Sequence, residues 1–514
     1  MTTRHPSSHK NSPTSSDLEM SDQEAKQNRP LRERLAKDKF SIALLLFLYI
    51  LQGLPIGLAG SVPIILQMKK IGYRQQALFS LVTWPFTIKL LWAPLVDSVY
   101  SRSFGRRKSW LVPSQYMIGL TMIFLSYLIK GLLGDETTAP SVVSLTVVFF
   151  FLHFLTATQD IAVDGWALTM LSKENVGYAS TCNTVGQTAG FFLSYTLFLA
   201  LQSTEFCNSY IRWEPQSTGL VELPSFMYVI GIIFMIVTTF IWWFKQEKRE
   251  EYSEEKTPIS NGYWQLLGVL KLPNVQMYAL AILTSKIAFA AADSVTGLKL
   301  IEAGLPSERI ALMAVPLVPV QIVLPWIISR FTTGPRPLDV FMKAYLPRVL
   351  MGVAFAAIVW WTPRVNNDGS FPVYYYIIVI GVFLVQQVFA YSMFVSGMAF
   401  HAKISDPAIG GTYMTLLNTI MNMAGTWVGT LALWLTDNVS VKDCEGVSDD
   451  SLDCDTMHEL QACEAAGGHC VTYVDGYYVE MVLCVTVGVI WVWWQRKRIG
   501  QLQDLREDQW RART

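Results

Sequence analysis

The sequence has few charged residues and no excess of charge of either sign. Asp, Glu, Lys and Arg make up 16% of its 514 residues, whereas soluble globular domains carry roughly 25%. Lys and Arg together number 40, as do Asp and Glu, so no basic excess is available to neutralise the phosphates of a nucleic acid. These deficits argue against a soluble enzyme and against a nucleic-acid partner.

A Gly-Lys dipeptide is also missing from the sequence. The P-loop of an ATP-driven pump needs that dipeptide to hold the nucleotide phosphates. We therefore exclude ATP-driven pumping by this chain alone, and we expect neither a metal ion nor a cofactor.

Long apolar runs take up much of the sequence instead. About 20 apolar residues in a helix cross the roughly 30 Å of hydrocarbon in a bilayer. Eight runs without charge qualify: 40–68, 110–129, 137–159, 175–204, 223–244, 310–329, 369–400 and 407–436. Four further runs are short or contain charges: 75–99, 274–300, 349–363 and 481–495. The sequence therefore predicts an all-α membrane protein with twelve transmembrane helices.

The distribution of Lys and Arg predicts the orientation of these helices. With the N-terminus inside, the connecting segments on that side hold 29 Lys and Arg residues, and those on the opposite side hold 8. Because positive residues favour the cytosolic side, both termini are predicted to be cytosolic. The first 39 residues lack an apolar signal sequence, so we predict a disordered cytosolic tail.

Two internal matches divide the chain into halves. Asn183-Thr184 and Asn418-Thr419 begin similar segments in helices five and eleven, at an offset of 235 residues. The pattern Pro-x-x-Ile-x-Leu-x-Trp begins at Pro85 in helix two and recurs 234 residues later in helix eight. This pairing predicts two parallel six-helix halves, the repeat of major facilitator transporters. The predicted segments are a tail 1–39, a first half 40–244, a charged connector 245–273, a second half 274–495 and a cytosolic tail 496–514.

Cysteine positions agree with the predicted topology. Cys182 and Cys484 fall within helices, where a small buried residue is the ordinary interpretation. The other five fall in loops on the non-cytosolic side, where an oxidising compartment permits disulfides: Cys207, Cys444, Cys454, Cys463 and Cys470. Four of them lie in an acidic loop, 437–476, in which three connectivities are possible. Because the total is odd, one thiol is expected to stay free or to bridge to another chain.

Polar and ionisable groups at membrane depth are candidate functional residues, because each costs a few kcal/mol unless it is paired or hydrated. Asp160 and Asp164 lie four residues apart, and Lys286 and Asp293 lie seven apart, so each pair shares one helix face. The alternative for each charge is a structural ion pair, and for each amide a helix-helix hydrogen bond. The candidate substrate-binding set is Gln52, Trp84, Lys89, Asp160, Asp164, Asn183, Gln187, Lys286, Asp293, Lys299, Asn418 and Asn422.

A candidate gate follows helix two. Asp97 precedes Gly105-Arg106-Arg107-Lys108, which resembles the aspartate and Gly-Arg-(Arg/Lys) signature of major facilitators, although the spacing is longer. The predicted gating residues are Asp97, Arg106 and Arg107, with an ion pair as the latch. The alternative is that the basic cluster serves only as a topology signal.

Seven segments resemble the acetyl-coenzyme A transporters of the endoplasmic reticulum (ER) membrane. They are LQGLPIGLAG (51–60), LWAPLVD (91–97), GRRKSW (105–110), ATQDIAVDGW (157–166), ENVGYASTCN (174–183), ADSVTGLK (292–299) and GGTYMTLLNT (410–419). The resemblance is absent from the N-terminal tail, the connector and the spacing of the acidic loop. It implies import of acetyl-CoA from cytosol to ER lumen, in exchange for CoA, to supply luminal acetylation.

Such a solute carries about four negative charges on its phosphates near neutral pH. A central site should therefore offer cations, for which Lys89, Lys286 and Lys299 are the intramembrane candidates. Trp84 or Trp166 would provide a slot for the adenine ring. The expected partners are acetyl-CoA, CoA and the lipid bilayer, and a homodimer is among the expected assemblies.

Two other functions fit the residues. The Asp160 and Asp164 pair suits a proton-coupled carrier of another large anion or of a muropeptide-like solute, as in related bacterial permeases. A polytopic acyltransferase would use a membrane-embedded histidine, for which His153 is the candidate.

The predicted latch has a direct test. If Asp97 pairs with Arg106 or Arg107, Asp97→Asn should slow exchange because it alters the balance of inward-facing and outward-facing states, with protein level unchanged. Turnover is measured in proteoliposomes. If turnover is unchanged, the basic cluster serves only as a topology signal.

Overall fold

The computed structural model of the protein describes residues 31–511, except 102, 135–137, 173–174, 176–177, 246, 248–258, 333, 368–369, 406–409, 447–453, 455–458, 460–461 and 464. Most of the predicted N-terminal tail, 1–39, lies outside the described residues. Residues 248–258 of the predicted connector and residues 512–514 of the C-terminal tail lie outside them as well.

Twelve helical segments of membrane length follow one another in the described chain, and we number them spans 1 to 12. Spans 1 to 6 are Leu31–Met68, the segment 73–98, Lys108–Leu133, Val142–Met170, the segment 178–202 and Leu223–Phe244. Spans 7 to 12 are the segments 273–302 and 307–332, then Leu338–Val365, Val373–Ile404, Gly410–Val439 and Gly476–Asp504. The predicted all-α membrane fold is confirmed.

Ten of these spans are long and apolar enough to cross a membrane by length and composition. The other two are spans 2 and 11. The longest helix of span 2 has 8 residues, and the 30 residues of span 11 include several Asn and Thr residues that lower its hydropathy.

Four spans are interrupted within their length. Span 2 consists of Tyr73–Ser80, Trp84–Ile88 and Ala93–Ser98, joined by 3-10 turns at Leu81–Thr83 and Lys89–Leu91. Span 7 consists of Pro273–Ser285, the 3-10 turn Lys286–Phe289, Ala290–Ser294 and Thr296–Glu302. Span 5 contains a π-helical turn at Leu193–Leu197 between Tyr178–Phe192 and Phe198–Gln202, and span 8 divides into Ser307–Met313 and Leu317–Thr332.

The interruptions place two candidate cations at irregular backbone. Pro85 and Pro94 lie in the first turn of the second and third helices of span 2, where a missing N–H is tolerated but the preceding helix cannot continue regularly. Lys89 and Lys286 each begin a 3-10 turn near the middle of a span. Such turns in mid-helix commonly mark hinges or functional positions.

Spans 1 and 5 pack with their backbones in contact. A Cβ built on Gly190 would lie 2.1 Å from the Ile50 carbonyl oxygen and 2.8 Å from the Gly53 Cα, so only glycine fits at this crossing. One turn earlier, Gly186 lies against Tyr49 in the same way, at 2.5 Å from its Cβ. The close crossing brings the polar side chains of span 5 within reach of span 1.

The two halves meet along symmetric pairs of spans. Span 2 packs against span 11, span 5 packs against span 8, and span 1 contacts span 7. When each span n is exchanged with span n + 6, the contact of spans 2 and 11 becomes the contact of spans 8 and 5. The contact of spans 1 and 7 becomes itself. This is the arrangement expected of two parallel six-helix halves, as the sequence matches predicted.

The ends of the described chain lie on one face of the bundle, which we call the terminus face. The opposite face carries a β-hairpin between spans 11 and 12, and we call it the disulfide face. Several polar contacts between the halves lie on the disulfide face and near mid-depth of the described chain. They include Tyr73 with Glu302, Ser307 with Met68, Arg309 with Tyr210, Ser80 with Thr430 and Thr87 with Thr426.

Span 9 begins earlier than its apolar run predicted. The run 349–363 was too short to cross a bilayer, and the helix instead extends from Leu338 to Val365. Arg348, which the charge count assigned to a connecting segment, is therefore inside the helix and only 6% exposed. The difference arises because a paired cation is tolerated within a helix that packs on its neighbours.

The C-terminal segment packs on the second half instead of forming a free tail throughout. Span 12 continues to Asp504, and a 3-10 turn follows at Glu507–Trp510. Trp510 is 1% exposed and contacts the rings of Tyr278 and Phe400. Its carbonyl oxygen accepts a hydrogen bond of 2.9 Å from the Tyr413 hydroxyl. The described part of the predicted tail, 496–511, thus belongs to the packed body.

The connector also contains ordered structure. Residues Ile259–Leu270 form a helix whose Leu266 and Val269 are buried, and the Tyr263 hydroxyl donates to the Leu91 carbonyl oxygen at 2.7 Å. The described portion of the connector is therefore attached to span 2.

The cysteine-rich loop is the one part of the described chain that forms strands. Strand β1, Val441–Glu445, pairs antiparallel with strand β2, His469–Val474. Disulfides join Cys444 to Cys463 and Cys454 to Cys470. Cys207, which the sequence predicts as a further disulfide candidate, is a buried free thiol in the helix Thr204–Tyr210. Its thiol donates to the Leu201 carbonyl oxygen at 3.2 Å. Cys207 is therefore hydrogen bonded to the neighbouring helix end and forms no disulfide in the described chain.

We expect peptide mapping of unreduced protein to recover two cross-linked peptides, one for each of these bridges. Closing loops of 19 and 16 residues restricts the unfolded chain and stabilises each loop by about 3 kcal/mol. A Cys207→Ser variant is the control and should keep both cross-links. Recovery of all four loop cysteines as free thiols, or of a cross-link through Cys207, would contradict the assignment.

Candidate functional site

Four spans of the first half converge on two carboxylates, a group that we call the N-cluster. Lys89 of span 2 forms an ion pair with Asp160 of span 4 and lies 3.8 Å from Asp164. The amide of Gln52, on span 1, donates to the Asp160 carboxylate at 2.5 Å. The hydroxyl of Tyr49 and the amide of Asn183 donate to Asp164 at 2.7 and 3.2 Å.

The two carboxylates of the N-cluster differ in exposure. The Asp160 side chain is 3% exposed, and its charge is neutralised by Lys89. The Asp164 side chain is 45% exposed, so it faces a space that water reaches. The N-cluster carries two carboxylates and one ammonium, and its formal charge is −1.

Three spans of the second half form a second group, the C-cluster. Asp293 of span 7 pairs with Arg348 of span 9, with 2.7 Å between carboxylate oxygen and Nη2. The Gln386 amide, on span 10, donates to the same carboxylate at 3.1 Å. The Arg348 guanidinium also lies 4.3 Å from the ring centroid of Phe289, a cation–π arrangement that helps a buried cation.

The sequence did not identify Arg348 or Gln386 as site residues. Arg348 had been counted in a loop, although the shortness of the adjoining run 349–363 signalled that the helix must begin earlier. Gln386 lies within a longer apolar run, where a lone amide predicts helix packing as readily as a binding site.

Lys286 differs from the other cations of the bundle interior. It is partly exposed, and within the described residues it makes no hydrogen bond or ion pair. Its neighbours Arg348 and Asp293 carry opposite formal charges. With Lys286 included, the C-cluster has a formal charge of +1, and Lys286 is its uncompensated cation.

Other predicted residues lie away from these clusters. Lys299 is 5% exposed at the disulfide-face end of span 7, where it pairs with Asp475 at 2.8 Å and Glu302 at 3.2 Å. It is about 20 Å along the helix from Lys286. Lys299 therefore lies apart from both clusters, neutralised by its two carboxylate partners, and its predicted role in substrate binding stays a prediction.

Asn418 belongs to a buried polar chain on the terminus side of the second half. Its Oδ1 atom lies 2.7 Å from Nδ1 of His401, and the Tyr278 hydroxyl lies 2.8 Å from Nε2 of the same ring. This arrangement satisfies both ring nitrogens and agrees with the alternative of a helix-helix hydrogen bond, while the binding role of Asn418 stays a prediction. Gln187 and Asn422 retain exposed surface and make no side-chain hydrogen bond in the part of the chain that the structure describes.

Neither candidate tryptophan forms a slot beside the clusters. Trp166 is 1% exposed in a core between spans 1, 3 and 4. Trp84 contacts Thr430 on span 11, with its indole N–H donating at 3.4 Å, and lines a cavity at the surface between those spans. Neither ring lies beside the charged groups of the N-cluster or the C-cluster, so an adenine slot formed by Trp84 or Trp166 stays a prediction.

His153 is a packed core residue in this structure. It is 2% exposed, and its Nδ1–H donates to the Phe149 carbonyl oxygen at 3.1 Å, one turn earlier. Its ring contacts Phe86 edge to face. This is the environment of a hydrogen-bonded core histidine.

The basic segment before span 3 joins the ends of two spans. Glu247, just after span 6, accepts hydrogen bonds from the backbone N–H groups of Arg107 and Lys108 at 3.0 and 3.2 Å. The Lys108 ammonium in turn donates to the carbonyl oxygens of Trp242 and Lys245, both at 2.9 Å. A carboxylate at a helix N-terminus and an ammonium at a C-terminus both complement the helix dipoles.

The predicted latch is only partly described. Arg106 and Arg107 both have interaction partners, and the Arg107 guanidinium packs against Gly165 of span 4. The side chain of Asp97 lies outside the described part of the chain, so its pairing with these arginines stays a prediction.

The burial of the C-cluster ion pair predicts how removal of one or both partners changes the stability of the protein. Asp293→Ala should lower the free energy of unfolding by about 3 kcal/mol, because it leaves Arg348 buried without a carboxylate. The double variant Asp293→Ala/Arg348→Met should recover most of that loss, since it removes both charges. Thermal melting of purified protein in detergent measures the difference.

The exposed pair Lys130–Glu222 provides the control for this experiment. Glu222→Ala should change stability by at most about 1 kcal/mol, as is usual for surface ion pairs. A double variant less stable than Asp293→Ala alone would contradict the pairing argument.

Comparison with known proteins gives the chain its family. The family model described as Acetyl-coenzyme A transporter 1 matches residues 41–258, 248–340 and 338–512. An uncharacterized protein of Schizosaccharomyces pombe is 35% identical over 455 residues, covering 88% of this chain and 85% of that protein. An uncharacterized membrane protein of Saccharomyces cerevisiae is 31% identical over 543 residues, covering 91% of this chain and 96% of that protein.

More distant similarities agree with a transporter fold. The anhydromuropeptide permease of Escherichia coli is 31% identical over 173 residues, which is 34% of this chain and 33% of the permease. The crystal structure of the nucleoside transporter NupG superposes with a TM-score of 0.58 at 10% identity, covering 90% of this chain and 99% of NupG. The crystal structure of a D-xylose-proton symporter superposes with a TM-score of 0.55 at 11% identity, covering 88% of this chain and 97% of the symporter. The chain is a multi-pass membrane transporter with the major facilitator fold, and it belongs to the acetyl-coenzyme A transporter family.

Proposed function

We propose that this protein carries acetyl-CoA from the cytosol to the ER lumen, in exchange for CoA, and so supplies luminal acetylation. The observation that carries the proposal is the family match, which extends from residue 41 to residue 512. The structure contributes three supporting features: orientation, a closed face and a free cation.

The orientation is supported by charge and by cysteine chemistry. Because Arg348 lies within span 9, it no longer counts toward the cytosolic segments. The predicted cytosolic segments then hold 28 Lys and Arg residues, and the segments on the other side hold 8. Both disulfides lie on the disulfide face, and disulfides persist in oxidising compartments such as the ER lumen. We therefore assign the terminus face to the cytosol.

The contacts between the halves suit an alternating-access carrier. On the disulfide face, the Tyr73 hydroxyl donates to Glu302, and Arg309 reaches Tyr210 across the halves at 3.4 Å. The side chains of Asp164 and Asp293 in the interior remain 45% and 41% exposed. We interpret this state as closed to the lumen and accessible from the cytosol.

The C-cluster offers the chemistry that an anionic solute requires. Acetyl-CoA carries about four negative charges, and a fixed ammonium attracts phosphate strongly where water is excluded. Lys286 is already desolvated in part and has no internal carboxylate to displace, whereas Lys89 is neutralised by Asp160. We therefore assign the phosphate contact to Lys286, the uncompensated cation of the C-cluster.

A second candidate, proton coupling, rests on the N-cluster. Two carboxylates around one ammonium leave a net negative charge, and a proton on Asp164 would remove it. A proton-coupled carrier of another large anion would use that site as its proton acceptor.

Uptake into proteoliposomes separates these functions. Labelled acetyl-CoA should accumulate in vesicles preloaded with CoA without an imposed pH gradient, and external CoA should compete where an unrelated anion does not. Uptake that requires an inward proton gradient would favour the proton-coupled carrier. Absence of acetyl-CoA uptake under both conditions would refute the proposed substrate.

Replacement of Lys286 tests its assigned role. Lys286→Gln should reduce acetyl-CoA uptake by at least about tenfold, which corresponds to roughly 1.4 kcal/mol of lost interaction. Protein level should stay unchanged, because Lys286 has no structural partner in the described chain. Lys130→Gln, which removes an exposed ammonium, is the matched control, and normal uptake by Lys286→Gln would show that this lysine does not bind the solute.

A further inference from the structure

A cavity of about 1050 Å³ opens at the surface where span 2 crosses span 11, on the side of the disulfide face. It is separate from the N-cluster and the C-cluster, none of whose residues lines it. Its back wall is the contact between the halves, where the Ser80 and Thr430 hydroxyls hydrogen bond at 2.7 Å. Its size is at the upper end of the roughly 300 to 1,000 Å³ usual for ligand pockets.

The mouth of the cavity is polar and carries a net positive charge. Arg74 and Lys442 lie there with a single carboxylate, Asp437. Within the described residues neither cation makes an ion pair or a hydrogen bond. Two free cations and one carboxylate leave a formal charge of +1, which is complementary to a phosphate group.

The depth of the cavity is apolar and aromatic. Three tryptophans line it together with leucines of both spans: Trp84, Trp427, Trp434, Leu78, Leu81 and Leu431. Leu78, Leu431 and Trp434 remain 36 to 44% exposed, so this surface needs an apolar cover. Trp84 lies ten residues after Arg74, or about 15 Å along the helix, which is half of the roughly 30 Å hydrocarbon core.

A second, smaller cavity of about 450 Å³ lies on the other side of span 2, against span 4. The two cavities share Leu78, Leu81 and Trp84 as a common wall. The remaining lining of the second cavity is almost entirely apolar, including Val143, Val147 and Phe150. Two apolar clefts below one cationic mouth fit a ligand with one anionic head and two apolar chains.

We propose that this surface binds an anionic phospholipid from the leaflet on the disulfide face. The phosphate contacts Arg74 and Lys442, one acyl chain follows the cleft between spans 2 and 11, and the other follows the cleft between spans 2 and 4. Lipids with zwitterionic heads bind more weakly, because their own ammonium competes for the same position.

Binding there has a consequence for the conformational cycle, whichever solute is carried. The lipid covers the junction formed by Ser80, Trp84 and Thr430, and that junction must separate when the disulfide face opens. A lipid bound across both spans therefore stabilises the state that is closed on this face.

Native mass spectrometry of the full-length protein in detergent tests the proposal, with phosphatidylglycerol and phosphatidylcholine of identical chains as probes. Wild-type protein should retain phosphatidylglycerol in preference to phosphatidylcholine. The double variant Arg74→Gln/Lys442→Gln should lower phosphatidylglycerol retention by about tenfold or more, given the usual contribution of each cation at a lipid surface. Lys130→Gln, a cation removed outside the cavity, should retain lipid as the wild type does.

A second variant, Leu81→Trp, fills the shared wall without changing any charge and should also lose lipid. If the double variant does not elute as a folded species, lipid retention by Leu81→Trp tests the proposal instead. Equal retention of the two lipids by the wild type, or unchanged phosphatidylglycerol retention in either folded variant, would overturn the proposal.

Discussion

The cost of holding charge at membrane depth is the constraint on which the rest of this structure depends. Asp160 and Arg348 are almost fully buried, and each is paired with an opposite charge from another span. Because the partners lie on different helices, each of these two pairs draws spans of one half together. Removal of one partner would leave an uncompensated buried ion, which destabilises more than removal of both.

Near mid-depth, contacts between the halves are of a different kind from contacts within them. Inside each half, spans are joined by ion pairs and by glycine-mediated backbone contact, such as that of Gly53 with Gly190. Between the halves, the named polar contacts at mid-depth are hydrogen bonds of uncharged groups: Ser80 and Trp84 with Thr430, and Thr87 with Thr426. Hydrogen bonds of this type contribute only about 0.5 to 1.5 kcal/mol each, so the halves can separate while each half keeps its internal packing.

Much of the N-cluster was predictable, because its charges interrupt apolar runs and stand out for that reason. Asp160, Asp164 and Lys89 are together, and Gln52 and Asn183 bind the two carboxylates. The C-cluster was predicted less completely. Arg348 follows a proline and borders a short run, so local charge counting placed it in a loop, and only its pairing with Asp293 explains its burial.

The sequence by itself determined the membrane fold, the order of the spans, the parallel halves and the family, because hydrophobic run length, internal repeats and motifs are properties of the chain alone. The tertiary structure decided which partner each polar residue has. Lys299 pairs with Asp475 and Asn418 with His401, while Lys286, on the same helix as Lys299, stays without a partner in the described chain. Spacing along a helix specifies a face, but the neutralisation of a charge depends on which other helix that face meets, and this depends on packing between distant parts of the chain.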